Sequence, residues 1–307
     1  MEYSKNPRMG GGSPLRRYLI FISIITVLLF HGLPALACTS YAVYSNEAIY
    51  GMNYDWGLYP ETRLFVGEEG EMRFFTLQYY FQGGWRTICM MNSEGLFTNY
   101  QTVPSNVIRN EPDDGTETIF QDAVNVTAIR DYSHVSQVED LIAGKYIRSI
   151  PIISLHSLFA DPDGNAMILE LVEGGHEVVK MEGNFLVMAN FFNSEYRGVD
   201  YSEISGPGGV YRFRKVYEGL LANMGKIDIA TGFSLLESAM QTSTRYSMVF
   251  KPEEKAVYFS LERDFNRIWR ADLEQQTLET WQGFTEYRKV DITQSSPVYG
   301  QEIIKWK

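Results

Sequence analysis

The apolar and polar positions sort the chain into strand-like runs interrupted twice by helical spacing. Thr39 to Ser45 is a β-prone run, Asn46-Glu47 supplies a turn, and Ile49 to Asn53 returns as a second strand. Arg63 to Val66 and Met72 to Tyr80 flank the turn signal Gly67-Glu68-Glu69-Gly70, and Trp85 to Met91 runs into Asn92-Ser93-Glu94-Gly95. Pro104 to Gly115 is polar and loop-like. Ile119 to Ile129 then places Ile119, Phe120, Ala123, Val124 and Thr127 on one side of a helix, and Ser136-Gln137-Val138-Glu139 predicts a capping box for a second helix running toward Ile147. Strand spacing resumes over Ile153 to Phe159, Ala166 to Leu171, Glu177 to Met181 and Phe185 to Met188. Val210 to Ala222 and Ile229 to Met240 read as helices, the second capped by Asp228. Tyr246 to Phe250 and Ala256 to Glu262 form a hairpin about Pro252-Glu253-Glu254, and Ile268 to Asp272 adds a strand. Hairpins broken by helix pairs, with no βαβ alternation and no internal repeat, predict an α+β protein with helices outside two antiparallel sheets.

The first 37 residues do not belong to that pattern. A basic stretch ends at Arg16-Arg17, the apolar run Tyr18 to Phe30 follows, and Gly32 and Pro34 break it before Ala35-Leu36-Ala37. This is the layout of a signal peptide cut after a small-x-small site, and the apolar run is too short to span a bilayer, which needs about 20 residues. We therefore expect residues 1–37 to be removed and residues 38–307 to form the working domain, secreted or periplasmic and free of the membrane. The leader carries a net +3 against −11 for the whole, so the remainder is near −14. So acidic a chain makes nucleic acid an unsuitable partner. Hydrophobic residues at 45% are ample for a packed core.

Cleavage after Ala37 would make Cys38 the first residue. A terminal cysteine carries a thiol and a free α-amine together. The unperturbed amine titrates at about 7.7–8.0 and the thiol at about 8.5, so the residue can supply both nucleophile and general base. Two other fates are open to Cys38. It could join Cys89 in a disulfide, although Cys89 lies in an apolar strand-like run suited to a buried thiol, or it could carry a lipid anchor. A hairpin over Thr39 to Ser45 and Ile49 to Asn53 would bring Asp55 back toward Cys38, where a carboxylate can hold the amine. The histidines His134, His156 and His176 show no metal-ligand spacing, and no G-x-S-x-G elbow or phosphate-binding glycine loop occurs, so neither a metal nor any other cofactor is expected.

Cys38-Thr39 followed by Gly51-Met52-Asn53-Tyr54-Asp55 resembles the start of the choloylglycine hydrolases, penicillin V acylases and acyl-CoA:6-aminopenicillanate acyltransferases, N-terminal-nucleophile (Ntn) hydrolases acting on linear amide bonds. The turn Met91-Asn92-Ser93-Glu94-Gly95-Leu96, the residues Asp161, Gly164 and Glu170, and Asn190 at the end of a strand are similar to features of the same group. The resemblance implies a four-layer αββα Ntn sandwich and the catalytic set Cys38, Asp55, Asn190 and Arg212, with Asn99 as a further oxyanion-hole candidate. Arg214 is a rival to Arg212 in register. It also implies a small N-acyl amide as substrate partner, and a homo-oligomer is compatible with it. One position departs from the pattern: Met52 stands where choloylglycine hydrolases carry Arg. The aromatic residues Tyr54, Trp56, Tyr59, Tyr79, Tyr80, Phe81 and Trp85 are open to two readings, core packing or an apolar acyl pocket. The expected activity is hydrolysis of a linear amide; the alternative is a lipoprotein, anchored through Cys38, that binds an apolar ligand without turning it over.

Overall fold

The computed structural model describes residues 38–57, 59–103, 112, 114–149, 154–206 and 209–306. The leader expected over 1–37 and most of the loop expected over 104–115 lie outside the described residues. Among those residues, strands β1 (Thr39–Tyr44), β2 (Ala48–Asp55), β12 (Phe185–Ala189), β13 (Thr244–Lys251), β14 (Ala256–Leu261), β15 (Ile268–Asp272), β16 (Thr277–Gln282) and β17 (Lys289–Asp291) form one sheet in the order β12-β1-β2-β13-β14-β15-β16-β17. The second sheet combines β3 (Thr62–Glu69), β4 (Met72–Phe81), β5 (Gly84–Asn92), β6 (Phe97–Val103), β9 (Ser154–Ala160), β10 (Ala166–Val172), β11 (Gly175–Lys180) and β18 (Val298–Tyr299) in the order β11-β10-β9-β6-β5-β4-β3-β18. Every pairing within these two sheets is antiparallel. A short parallel pair, β7 (Thr118–Phe120) with β8 (Tyr146–Arg148), stands apart.

Three apolar clusters define the layers. The inner faces of the two sheets share one core, in which Ala42, Tyr50, Met52 and Met248 from the first sheet meet Leu77, Cys89, Phe97 and Leu158 from the second. The outer face of the first sheet is covered by α3 (Val210–Asn223) and α4 (Ile229–Ser238), through Tyr41, Val43 and Ile49 against Phe213, Val216 and Leu236. The outer face of the second is covered by α1 (Gln121–Asp131) and α2 (Val135–Ile142), through Phe159 and Met167 against Val124, Ala128 and Val138. The expected αββα sandwich is therefore observed. Because β2 is covered on both sides, all eight of its residues are buried, and it reads as a continuous run rather than an alternating one.

Two local details depart from expectation. The helix expected to be capped by Ser136 is instead capped at His134, two residues earlier, and Gln137 Oε1 accepts from the backbone N–H groups of Ser133 and His134, each at 2.9 Å. The chain beyond Asp272, which gave little strand signal, adds β16 and β17 to one sheet and β18 to the other, with Val66 N–H donating to Ile292 O as the tail passes between them. Gly51 has a steric role in the motif that contains it. A Cβ there would lie 2.2 Å from the Tyr41 ring, whose hydroxyl donates to Gly232 O on α4 at 3.1 Å.

Candidate active site

The register of β1 builds the site. Thr39 pairs with Ala189 on one side and Asn53 on the other. One step back along both ladders, Cys38 therefore has Asn190 and Tyr54 as its cross-strand neighbours. Cys38 is 4% exposed and its side chain belongs to the core between the sheets. Cys38 and Cys89 are both free thiols, and Cys89 Sγ lies 3.8 Å from Met248 Sδ, so the disulfide alternative is not adopted.

Arg212, in the first turn of α3, reaches across to this strand end. Its Nη1 donates to Cys38 O and to Thr39 Oγ1, the latter at 2.5 Å, and its Nη2 donates to Asn190 Oδ1 at 2.7 Å. Arg214 instead donates to Ser202 O and Ile204 O and, among the described residues, makes no such contact with the start of β1. The approach of Arg212 depends on Gly209, the residue before α3, which adopts φ +100° and whose missing Cβ would lie 2.2 Å from Arg212 Nη2. Asn190 Nδ2 donates to Thr102 O at 2.7 Å. The same nitrogen reaches Thr102 Oγ1 only at 3.5 Å, so its second hydrogen is weakly held and can pass to a better acceptor.

Asp55 closes β2 opposite Thr244 and is fully buried. Its carboxylate accepts from Thr244 Oγ1 and, at 2.8 Å, from Gln241 Nε2. Burial pushes the Asp55 carboxyl up to about 6, against the opposing pull of these hydrogen bonds and the Arg212 charge. Burial also pushes the Cys38 thiol up to about 12, and the nearby Asp55 charge adds to that effect. The Arg212 guanidinium is held below its ordinary value by its own desolvation.

Four of the five expected residues thus gather at one end of the sandwich: Cys38, Asp55, Asn190 and Arg212. Asn99 does not join them. It sits in the middle of β6 between Cys89 and Leu158, its Oδ1 accepting from Leu158 N at 3.4 Å. The residues of β6 that do reach the site are Thr102, through its carbonyl, and Gln101. With the Gln101 amide assigned the orientation that satisfies both of its ends, its nitrogen donates to Cys38 O at 3.3 Å and its oxygen accepts from Ser40 N at 3.1 Å and Ser40 Oγ at 2.8 Å. Sequence reasoning missed Gln101, Thr102, Gln241 and Thr244, because each acts through a contact far along the chain. The period-two alternation of β6 does place Gln101 on the same face as the core residue Phe97.

The aromatic residues divide. Tyr54, Trp56, Tyr79 and Phe81 form one cluster beside Cys38, with Trp56 4.7 Å from Tyr79 and 5.8 Å from Phe81 between ring centres. Tyr80 and Trp85 pack together elsewhere, where Arg63 lies 4.2 Å over Trp85, and Tyr59 is exposed beneath Arg245.

No family model and no curated protein sequence matches this chain. Solved structures do. Two mutant forms of conjugated bile acid hydrolase from Clostridium perfringens each align with a TM-score of 0.60 at 16% identity, over 83% of this chain and 97% of theirs. Penicillin V acylase from Agrobacterium tumefaciens aligns with a TM-score of 0.55 at 15% identity, over 76% of this chain and 91% of its own. The likeness carried by Cys38-Thr39 and Gly51 to Asp55 therefore holds at the level of the fold: the chain has an αββα sandwich similar to those of a bile acid hydrolase and a penicillin V acylase.

Proposed function

We propose that this chain is an exported hydrolase of linear amides, acting on an N-acyl compound with an apolar acyl group through Cys38 freed as an N-terminal residue. The observation that carries this reading is the meeting of Cys38, Asn190 and Arg212 at the start of β1, with Asp55 buried close by. A thiol pushed up to about 12 stays protonated at neutral pH, so attack on a carbonyl needs a base at the sulfur. The histidines among the described residues lie elsewhere: His134 pairs with Asp163, His156 is buried beside Glu170, and His176 lies on β11 at the edge of the second sheet. Removal of residues 1–37 would create that base on Cys38 itself, an amine of pKa about 7.7–8.0 before the site perturbs it. Asp55 would then hold the ammonium that forms.

In this mechanism the sulfur adds to the amide carbonyl while the α-amine takes its proton. The weakly held hydrogen of Asn190 Nδ2 turns from Thr102 Oγ1 to the oxyanion, a contribution of about 3–4 kcal/mol in comparable sites. The amine returns the proton to the leaving nitrogen, and water, deprotonated by the same amine, resolves the thioester. The bile acid hydrolase and penicillin acylase with this fold support amide cleavage as the reaction class. The lipoprotein alternative is less well supported, since a lipid on a sulfur that points between the sheets would have to displace core side chains.

Three preparations test the proposal: protein starting at Cys38, the same protein with Cys38→Ala, and a form extended by one alanine before Cys38, all confirmed by mass. Hydrolysis of an N-acyl amide panel is expected from the first only. Turnover by Cys38→Ala would place the nucleophile elsewhere, turnover by the extended form would exclude the amine as base, and a diacylglycerol adduct on the secreted protein would restore the anchor reading.

A further inference from the structure

Tyr54 is the cross-strand neighbour of Cys38 on the inner face of the first sheet, and its hydroxyl is an anomaly. The residue is 4% exposed, yet Tyr54 Oη has no hydrogen-bond partner among the described residues. Tyr246 Oη meets Thr62 Oγ1 at 2.7 Å and Tyr41 Oη donates to Gly232 O at 3.1 Å, whereas Tyr100 Oη shares the unpaired state of Tyr54 but is not part of the core between the sheets that holds Cys38 and Tyr54. The Tyr54 ring is held by Trp56 at 6.0 Å and Tyr79 at 6.1 Å between centres, so the hydroxyl has a fixed direction. Phenylalanine would pack the same ring without the cost of burying an unpaired polar group. A hydroxyl retained under those terms has a partner that arrives from outside.

We infer that Tyr54 is a specificity-determining residue whose hydroxyl donates to a neutral oxygen of the substrate, a few bonds from the scissile carbonyl on its acyl side. This assignment rests on the amide-hydrolase reading and narrows it. The thiol sits one bond beyond its Cβ, whereas the hydroxyl stands at the far end of a ring, so the two meet the substrate at separate points. The walls around Tyr54 are Trp56, Tyr79 and Phe81, which suit an apolar or aromatic acyl group. Burial, with the Cys38 thiol next in effect, holds the Tyr54 proton well above the usual phenol range, so the hydroxyl keeps the hydrogen it donates. The substrate class is thus an N-acyl amide whose apolar acyl group carries an ether, hydroxyl or keto oxygen close to the carbonyl.

The experiment compares kcat/KM for a phenoxyacetyl anilide and its 3-phenylpropanoyl analogue, in which CH2 replaces the ether oxygen, using wild type and Tyr54→Phe. Both proteins are expressed from the full chain, with Cys38 confirmed as the first residue. The ratio of the two proteins' preferences cancels the intrinsic reactivity of the amides. Tyr54→Phe is expected to lose about 5- to 30-fold of the preference for the ether, to cleave the CH2 analogue as wild type does, and to show an undiminished Tm. Equal preference in both proteins overturns the assignment. An equal loss on both amides with a lowered Tm also overturns it, by making Tyr54 a packing residue. If wild type cleaves neither amide, the hydrolase reading falls and this assignment with it, an outcome distinct from the other two.

Discussion

Arg212 Nη2 donates to Asn190 Oδ1 across 2.7 Å, and this contact decides which way the Asn190 amide faces. With its oxygen held by a cation, the amide presents its nitrogen to Thr102 O at 2.7 Å and, more weakly, to Thr102 Oγ1 at 3.5 Å. Replacing Arg212 by Met would leave Cys38 O, Thr39 Oγ1 and Asn190 Oδ1 without their charged donor. Each buried acceptor left unpaired costs about 1–3 kcal/mol, part of which relaxation recovers. We expect Arg212→Met to lose about 3 kcal/mol of stability and, since Asn190 is then free to turn, about 100-fold in kcat with a smaller change in KM. Urea unfolding and steady-state kinetics on the same preparation check both. Unchanged kcat would mean that Asn190 needs no such orientation.

Gly209 supports that arginine by what it lacks. At φ +100°, an L side chain is strained by about 1–2 kcal/mol, and a Cβ would lie 2.2 Å from Nη2 and 2.8 Å from Cζ of Arg212. Gly209→Ala is expected to lower Tm by about 2–8 °C and kcat by at least about 10-fold. Gly209→Asn separates the two causes, because Asn tolerates left-handed backbone but keeps the offending Cβ. It should recover part of the Tm and little of the activity, as a thermal melt and a rate measurement will show.

The first 18 residues after Ala37 carry the fold and half of the site in plain sight: the hairpin, Cys38 at its start and Asp55 at its end all lie within local sequence reach. The helices at 210–223 and 229–238 were equally legible, because each presents a one-sided apolar stripe and the second has Asp228 capping Thr231 N at 2.7 Å. What could not be read is the set of long-range contacts. Asn99 looked suitable because an Asn follows the Gly95-Leu96 turn, but the register of β6 against β5 and β9 puts that side chain beside Leu158 and carries Gln101 and Thr102 to the site instead. Register between strands separated by more than 50 residues is fixed by the packed core, not by local spacing.

The raised pKa of Asp55 makes stability depend on pH in a definite direction. In the full chain, where residue 38 has no free amine, burial moves the carboxyl from 3.8 to about 6. The folded state then binds this proton more tightly than the unfolded state, so the contribution is fully present below about pH 4 and is lost as pH rises through 6. Its total is about 3 kcal/mol. Asp55→Asn has no such titration, so unfolding free energies of the two proteins should diverge between pH 4 and pH 7, with wild type losing relative stability. In protein beginning at Cys38, an ammonium beside Asp55 would favour the ionised carboxylate and shrink that loss. Equal divergence in full-length and Cys38-initiated protein would show that the amine and Asp55 do not interact.

Met52 bears on the charge of the substrate. It is fully buried on the inner face, in register between Ser40 and Met248, and Cys89 Sγ lies against Met248 Sδ at 3.8 Å. An anionic group brought against this wall finds sulfur and carbon where an arginine would have offered paired donors. Arg212 is a poor substitute, since it is already held by Cys38, Thr39 and Asn190, and Arg63 is committed to Gln78 and Trp85. A polar group desolvated without a partner costs about 1–3 kcal/mol, or about 5- to 150-fold in kcat/KM. Neutral N-acyl amides should therefore be cleaved faster than glycine or taurine conjugates of the same acyl group. Introducing Met52→Arg should not reverse this preference without cost, because the cation would be buried with no carboxylate to meet it when the site is empty, and we expect a loss of about 3–5 kcal/mol in unfolding free energy. Matched neutral and anionic substrates, assayed with both proteins, give the measurement. A wild-type preference for the anionic conjugate would place the substrate's charge away from Met52, at an exposed cation such as Arg86 on β5.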